Sequence, residues 1–222
     1  MKPAINTIIF LITTTILFGT SCTDSLTGSE PDLSESLISV ENVQSIQGGE
    51  NATITVNKNH KEAYFSIQFS NIDANKVIET GTWDAWCIDW RKPIDSNNGT
   101  YNSIQLYSTD LVEKWKPVNY LLNISQDLKS SDPDLTWREI QLVLWSLRAN
   151  PEFKLDKVAV EDLPSSFRTD GQPNFSNEKV REILKIVENG YKDFVFSAGT
   201  KFAVIAETPA DVQTVFAVVE KK

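Results

Sequence analysis

Between residues 51 and 222, strand-like alternation at both ends encloses a long region of helical periodicity, and this order restricts the fold more than any other feature. Segments 53–56 and 63–69 alternate apolar and polar residues across a turn-like link, which predicts a β-hairpin. Segment 83–90 predicts a third strand, and segments 200–207 and 212–220 predict two closing strands. Strands, then helices, then strands indicate an α+β domain: a β-sandwich or barrel-like sheet scaffold with a helical insertion.

The central region contains three segments with apolar residues at helical spacing. Segment 111–124 includes Pro117, which predicts a kink or a break in the helix there. Segment 136–149 opens with the spacing of a capping box and is the clearest helix. Segment 176–189 carries one apolar face and predicts a third helix.

The amino-terminal residues have the pattern of an export signal. Lys2 precedes an apolar run over 5–18, and small residues come directly before Cys22, which predicts a signal peptide over 1–21 with a lipidation site at Cys22. The apolar run is shorter than the roughly 20 residues that a transmembrane helix needs. A plain signal peptide cut near a cysteine is the alternative. We expect an exported protein of the bacterial cell envelope, lipid-anchored to the outer membrane or cell surface.

The chain after Cys22 divides into two regions. Residues 22–50 are rich in Ser, Asp and Glu and have no sustained apolar period, which predicts a flexible acidic tether. Residues 51–222 contain all the predicted strands and helices. We therefore expect one α+β domain on a tether.

Composition argues against several classes of function. A formal net charge of -9 provides no general attraction for a phosphate backbone, so we do not expect nucleic acid as a partner. Two Cys and one His cannot supply the three or four N and S ligands of a usual zinc site, and we expect no metal and no cofactor. The one histidine, His60, is interpreted as a surface residue of a loop.

Cys87 and Gln141 occupy positions that packing alone does not explain. Alternation places Cys87 on the same strand face as Asp89, away from the more apolar face. Gln141 lies in the apolar stripe of its helix, near Trp145. An unpaired buried amide costs about 1–3 kcal/mol, so Gln141 must be hydrogen-bonded, exposed by a groove, or chemically altered.

These residues resemble the thioester domains of bacterial surface adhesins. In that family an aromatic-Cys-apolar motif followed by Pro supplies a thiol, and a Thr-Gln-x-Ala-apolar-Trp motif supplies a glutamine. Residues 86–88 with Pro93 resemble the first motif. Residues 140–145 resemble the second at Gln, the apolar position and Trp, with Ile and Val where the family has Thr and Ala. The resemblance covers about residues 52–220.

The resemblance implies an internal thioester between Cys87 and Gln141. A lysine amine of a partner surface protein, or another nucleophile, would attack this bond, free the Cys87 thiol and remain joined to Gln141. Such a domain acts once and is not a turnover enzyme. The implied lining of the site is Trp86, Asp89, Trp90 and Trp145.

A second interpretation needs no special chemistry. A lone Cys in an apolar strand is often a small core residue, and a Gln on a helix face is often a satisfied polar group. The protein would then be a non-covalent ligand-binding or envelope-structural lipoprotein with a free, buried Cys87.

Overall fold

The computed structural model describes residues 43–149 and 151–222. Six antiparallel strands form a closed barrel, a seventh short strand pairs with it, and three helices are inserted between the strands, which confirms the α+β barrel-like scaffold. The main sheet consists of β1 (Gln44–Ser45), β2 (Ala52–Lys58), β3 (Phe65–Ser70), β4 (Gly81–Cys87), β5 (Asn97–Ser108), β8 (Lys201–Glu207) and β9 (Val215–Glu220). The remaining elements are α1 (Lys116–Ser131), α2 (Trp137–Arg148), α3 (Asn177–Gly190), a two-stranded ladder of β6 (Arg168–Thr169) and β7 (Gln172–Pro173), and the 3-10 turns Glu113–Trp115, Val160–Asp162, Ser165–Phe167 and Tyr191–Asp193.

The long strand β5 closes the barrel. Its first part, residues 97–104, pairs with β2, and its last part, residues 105–108, pairs with β8. The order around the barrel is therefore β5-β2-β3-β4-β9-β8 and back to β5. The expected β2–β3 hairpin and the expected β8–β9 pair are both present. Closure leaves the ends of the barrel as the places where backbone groups lack a ladder partner.

Strand β5 was not among the predicted strands. The register between β2 and β5 shifts twice, so the alternation along β5 is broken. Ser103 has a φ of 55° within this strand, and Asn98 has a φ of 61° near its start. A bulge reverses which face a residue occupies, which hides a strand from a period-two pattern.

Of the expected kink or break at Pro117, the structure has a break: the 3-10 turn Glu113–Trp115 ends just before it and a separate helix begins. Helix α1 begins at Lys116, so Pro117 stands in its first turn and needs no backbone N–H there. The preceding 3-10 turn, Glu113–Trp115, accounts for the helical spacing of the residues before it. The helix continues unbroken to Ser131, beyond the expected end.

The predicted tether over 22–50 is too long at its carboxyl end. Strand β1 pairs with β5, and Ile46 is buried and donates its backbone N–H to Leu106. Residues 43–50 therefore belong to the folded domain. The signal peptide 1–21, Cys22 and the tether as far as residue 42 lie outside the described residues. In the described ranges, no helix combines the length and apolarity needed to cross a membrane.

Glu139 fixes how α2 meets α3. One of its carboxylate oxygens accepts the backbone N–H of Thr136, which completes the expected capping box of α2. The other accepts the backbone N–H of Ser176, whose own side chain caps α3. One buried carboxylate thus joins two helix starts, and it sets the orientation of the helix that carries Gln141.

Candidate functional site

Cys87 and Gln141 are in contact in the buried centre of the domain. Cys87 is the last residue of β4 and is 1% exposed, and Gln141 lies in the second turn of α2 and is 0% exposed. The Cys87 Sγ lies 3.6 Å from the Gln141 Oε1. Gln141 Nε2 donates to the Cys87 carbonyl at 2.9 Å, and Gln141 Oε1 accepts the Cys87 backbone N–H at 3.2 Å.

The backbone N–H and C=O of Cys87 are both free to bond to a side chain because the neighbouring strand does not extend past them. Strand β3 begins at Phe65, opposite Ala85, so it stops short of Cys87. Ile88 donates its N–H to Thr214 on the β9 side, and successive peptide groups of a strand point in opposite directions. The N–H of Cys87 therefore points away from β9, where Gln141 accepts it. Both the oxygen and the nitrogen of the Gln141 amide are thus hydrogen-bonded.

The thiol of Cys87 is held in its protonated form. Burial raises the pKa of Cys87 well above its ordinary value, and the nearby charge of Asp89 raises it further. The indole of Trp145 opposes this rise. The Nε1 of Trp145 is buried and has no conventional hydrogen-bond partner among the described residues. The sulfur of Cys87 is thus the acceptor on which this donor can act.

Asp89 and Lys92 form a buried pair beside the thiol. Asp89 is 0% exposed, its Oδ2 accepts the backbone N–H of Thr214 at 2.6 Å, and Lys92 Nζ lies 3.6 Å from the same oxygen. Burial raises the pKa of Asp89, while Thr214 and Lys92 act in the opposite direction. Within the described residues, Asp89 Oδ1 has no hydrogen-bond partner.

The three expected tryptophans are buried, but they do not all lie on the same side of the Cys87–Gln141 pair. Trp145 contacts the aromatic cluster beside Cys87, with its ring 6.3 Å from that of Tyr64. Trp90 is fixed by a hydrogen bond from its Nε1 to the Pro151 carbonyl at 2.9 Å. Trp86 is paired with Phe216 across the β4–β9 ladder, and alternation directs it to the face opposite Cys87. Trp86 therefore does not share the face of the Cys87–Gln141 pair.

A groove of about 900 Å³ is lined by Trp90 and Lys92, which follow Cys87 in the chain, and by Tyr64; Cys87 and Gln141 are buried behind its wall and do not line it. Burial raises the pKa of the Tyr64 phenol, with the nearby Cys87 acting in the same direction. The floor and walls combine aromatic, basic and hydroxyl side chains. The lining residues are Lys58, His60, Tyr64, Phe65, Trp90, Arg91, Lys92, Pro93, Ile94, Ser96, Asp162, Leu163, Pro164, Ser165, Ser166 and Gln213.

His60 is not simply a surface residue, contrary to the expectation. Its ring stacks on Trp137, with centroids 4.4 Å apart, and on Tyr64, with centroids 5.4 Å apart. Burial lowers the pKa of His60, and the charges of Arg138 and Lys58 lower it further. His60 is thus a neutral, half-buried part of the groove wall.

The sequence analysis did not assign Tyr64, Lys92 or Gln213 to the site. Tyr64 was interpreted as one aromatic residue of a strand, and it lies in the link before β3. Gln213 falls within the predicted strand 212–220, and in the structure it precedes β9, which begins at Val215. Nothing in the sequence brings these separate segments together before the barrel closes.

No group of three or more metal-ligating side chains occurs within the described ranges.

No protein-family model matches the chain, and neither a curated protein nor a solved structure matches it. The function has therefore to be argued from the chemistry of the site.

Proposed function

We propose that this protein is a covalent binding module of the bacterial cell envelope, in which Cys87 and Gln141 form an internal thioester that captures a primary amine of a partner. The supporting observation is the buried contact of 3.6 Å between Cys87 Sγ and Gln141 Oε1, with the amide held by two further hydrogen bonds. Holding nucleophile and carbonyl in contact supplies the proximity that a poor acyl donor needs.

The hydrogen bonds of Gln141 suit the formation of the bond. The Cys87 sulfur adds to the Gln141 side-chain carbonyl carbon, and the backbone N–H that already contacts Oε1 stabilises the negative charge that develops there. The thiol proton passes to Nε2, which leaves as ammonia. Because burial keeps the thiol protonated, this proton moves during the attack and not before it.

Capture of the partner reverses the role of the sulfur. The partner amine attacks the thioester carbonyl carbon, and the Cys87 sulfur leaves and receives the amine proton. Trp145 Nε1, a buried donor without another conventional partner in the described residues, stabilises the leaving sulfur. The aromatic surroundings limit hydrolysis by limiting water. The partner ends on Gln141 through an amide bond, so each molecule acts once.

The anchor gives this capture a mechanical purpose. A lipid on Cys22 would fasten the module to the membrane, at the outer membrane or cell surface, so that one covalent bond holds an amine-bearing partner protein in place. The chain between Cys22 and residue 42 then sets the reach of the domain. The flexible tether that the composition predicts would span on the order of 25 Å at that length, which favours a partner near the membrane.

The mass of the purified protein tests the proposal. We expect the wild type to be lighter than its calculated mass by one ammonia, and methylamine to add to it. Cys87→Ala and Gln141→Ala should have their full masses and should not react with methylamine. A wild type of full mass with one titratable thiol at Cys87 would overturn the thioester and favour the non-covalent alternative.

A further inference from the structure

The carbonyl oxygen of the Gln213 side chain has no hydrogen-bond partner among the described residues, although Gln213 lines the groove and is 5% exposed. Its backbone is fixed on both sides. The Gln213 N–H donates to the Pro93 carbonyl at 2.9 Å, and the Thr208 hydroxyl donates to the Gln213 carbonyl at 2.8 Å. A buried acceptor on a fixed backbone is costly unless a ligand satisfies it.

The sheet register places Gln213 close to Cys87. Cys87 pairs with Val215, and Ile88 donates to Thr214, so the pairing continues one residue beyond the end of β4. Alternation puts residue 213 on the same side of the ladder as Val215 and Cys87. The unpaired acceptor therefore lies on the face of the sheet that carries the reactive pair.

The charge around the groove differs in sign from the charge of the whole protein. Lys58 and Arg91 line it and are exposed, and neither makes an ion pair in the described ranges. The Arg91 guanidinium lies 4.4 Å from the centre of the Trp90 ring, which holds it at the groove wall. Lys92 is neutralised by Asp89, and Asp162 is the one acidic residue among the lining residues. Carboxylates are the groups that such a rim attracts.

We infer that the groove receives a lysine amine carried on a carboxylate-rich segment of a partner protein, with Lys58 and Arg91 contacting the flanking carboxylates and Gln213 accepting a hydrogen bond from the amine. This inference rests on the proposed thioester. The amine forms an amide bond to the Gln141 carbonyl carbon, the Cys87–Gln141 bond breaks, and one amine proton passes to the Cys87 sulfur. The neighbouring cations also favour the neutral amine, which is the nucleophilic form.

Two short peptides, capped at both ends, test the charge preference. One carries a central lysine flanked by aspartates and the other the same lysine flanked by asparagines, with methylamine as the reference that has no flanking residues. We expect the acidic peptide to consume the thioester about tenfold faster than the asparagine peptide at low salt, with the advantage shrinking as salt is added. Equal rates for both peptides would overturn the inference.

Variants that remove cations from the groove test whether the faster reaction of the acidic peptide depends on the groove. Replacing Lys58→Ala and Arg91→Ala together should remove the advantage of the acidic peptide over the asparagine peptide, with the methylamine rate measured alongside to report any general change in reactivity. The matched control removes two exposed cations elsewhere, Lys157→Ala and Lys185→Ala, and should keep the advantage. If the control loses the advantage as fully as the groove variant, the overall charge is responsible and the groove is not the binding site.

The Gln213→Leu variant tests the acceptor. It should slow methylamine and both peptides about fivefold, the factor expected for one hydrogen bond, while the mass deficit of the thioester is unchanged. If Gln213→Leu reacted at the wild-type rate, Gln213 would not be part of the binding site.

Binding to Cys87→Ala separates the inference from the proposed function. This variant cannot form the thioester, so fluorescence anisotropy of the labelled peptides reports the groove alone. Preferential binding of the acidic peptide, lost in the Lys58 and Arg91 variant, would support the groove even if methylamine never reacts with the wild type. Equal binding of both peptides would overturn the inference even if the thioester forms.

Discussion

The side chain of Gln141 pairs with the backbone of Cys87 as a neighbouring strand would, accepting its N–H and donating to its carbonyl. It does so where β3 has already ended, so the amide completes the sheet at the point where the chain would otherwise bury two unpaired groups. The same contact brings the Gln141 carbonyl to the thiol. The structural role and the proposed chemical role of Gln141 therefore coincide in one residue.

Removal of the Gln141 amide should destabilise the fold even when no thioester can form. In a Cys87→Ala background, Gln141→Met keeps the volume but leaves the N–H and C=O of residue 87 unpaired. We expect the free energy of unfolding, measured in urea, to fall by about 2–4 kcal/mol. The control Gln126→Met, at an exposed position of α1, should change it by less than about 0.5 kcal/mol. If Gln141→Met lowered the free energy of unfolding as little as Gln126→Met does, Gln141 would have no structural role.

Loss of the Trp145 indole N–H should slow amine capture. Trp145→Phe keeps an aromatic ring beside Cys87 but removes the donor that faces the leaving sulfur, so we expect the methylamine rate to fall about five- to tenfold. Trp115→Phe is the control, because the Trp115 Nε1 is also buried without a conventional partner in the described part of the chain, while its ring packs on Phe216. Similar losses in both variants would contradict a specific role for Trp145.

The elements that follow a regular period could be predicted from the sequence. The β2–β3 hairpin, the capping box of α2 and the closing β8–β9 pair all follow a pattern within a short segment. Strand β5 could not be found in this way, because the bulge near Ser103 interrupts its alternation. Local periodicity is thus informative only where the backbone remains regular.

The residues of the candidate site likewise divide into those that the sequence indicates and those that it does not. Cys87 and Gln141 stand out because each has the wrong polarity for its face, and that conflict is visible in the sequence. Gln213 and His60 give no such signal, since their surroundings depend on which strand ends the barrel brings together. Trp86 shows the converse error: a residue adjacent to Cys87 in sequence points to the opposite face of the strand.

The proposed lipid anchor at Cys22 can be tested independently of the thioester. Cells that express the full chain should yield a protein that partitions into detergent and carries acyl groups on Cys22, as detected by mass spectrometry of the amino-terminal peptide. Cys22→Ser should remain unprocessed or be released. Cys87→Ala is the matched control and should partition as the wild type does. Wild-type protein cut at residue 21 and free of acyl chains would exclude the anchor.

The buried Asp89–Lys92 pair should make stability depend on pH. Burial raises the pKa of Asp89 in the folded state, so the stability that this group contributes is complete below about pH 4, the ordinary pKa of Asp, and is lost as the pH rises through the raised value. Asp89→Asn with Lys92→Met removes the titrating acid and its buried counter-ion together, and Asn still accepts the Thr214 N–H. The stability of this double variant relative to the parent should therefore increase from acid to neutral pH.

Urea unfolding at a series of pH values measures this difference, with Cys87→Ala as the parent so that the thiol does not titrate alongside Asp89. Comparison of the two proteins cancels the opposite contributions of Glu79 and Asp132, whose pKa values are lowered by Lys222 and Lys179. Asp89→Asn alone is the control: it leaves the buried Lys92 charge without its partner, so the variant should be less stable than the double variant at neutral pH. A difference between parent and double variant that stays constant across the pH series would show that Asp89 has the same pKa in the folded and unfolded chains.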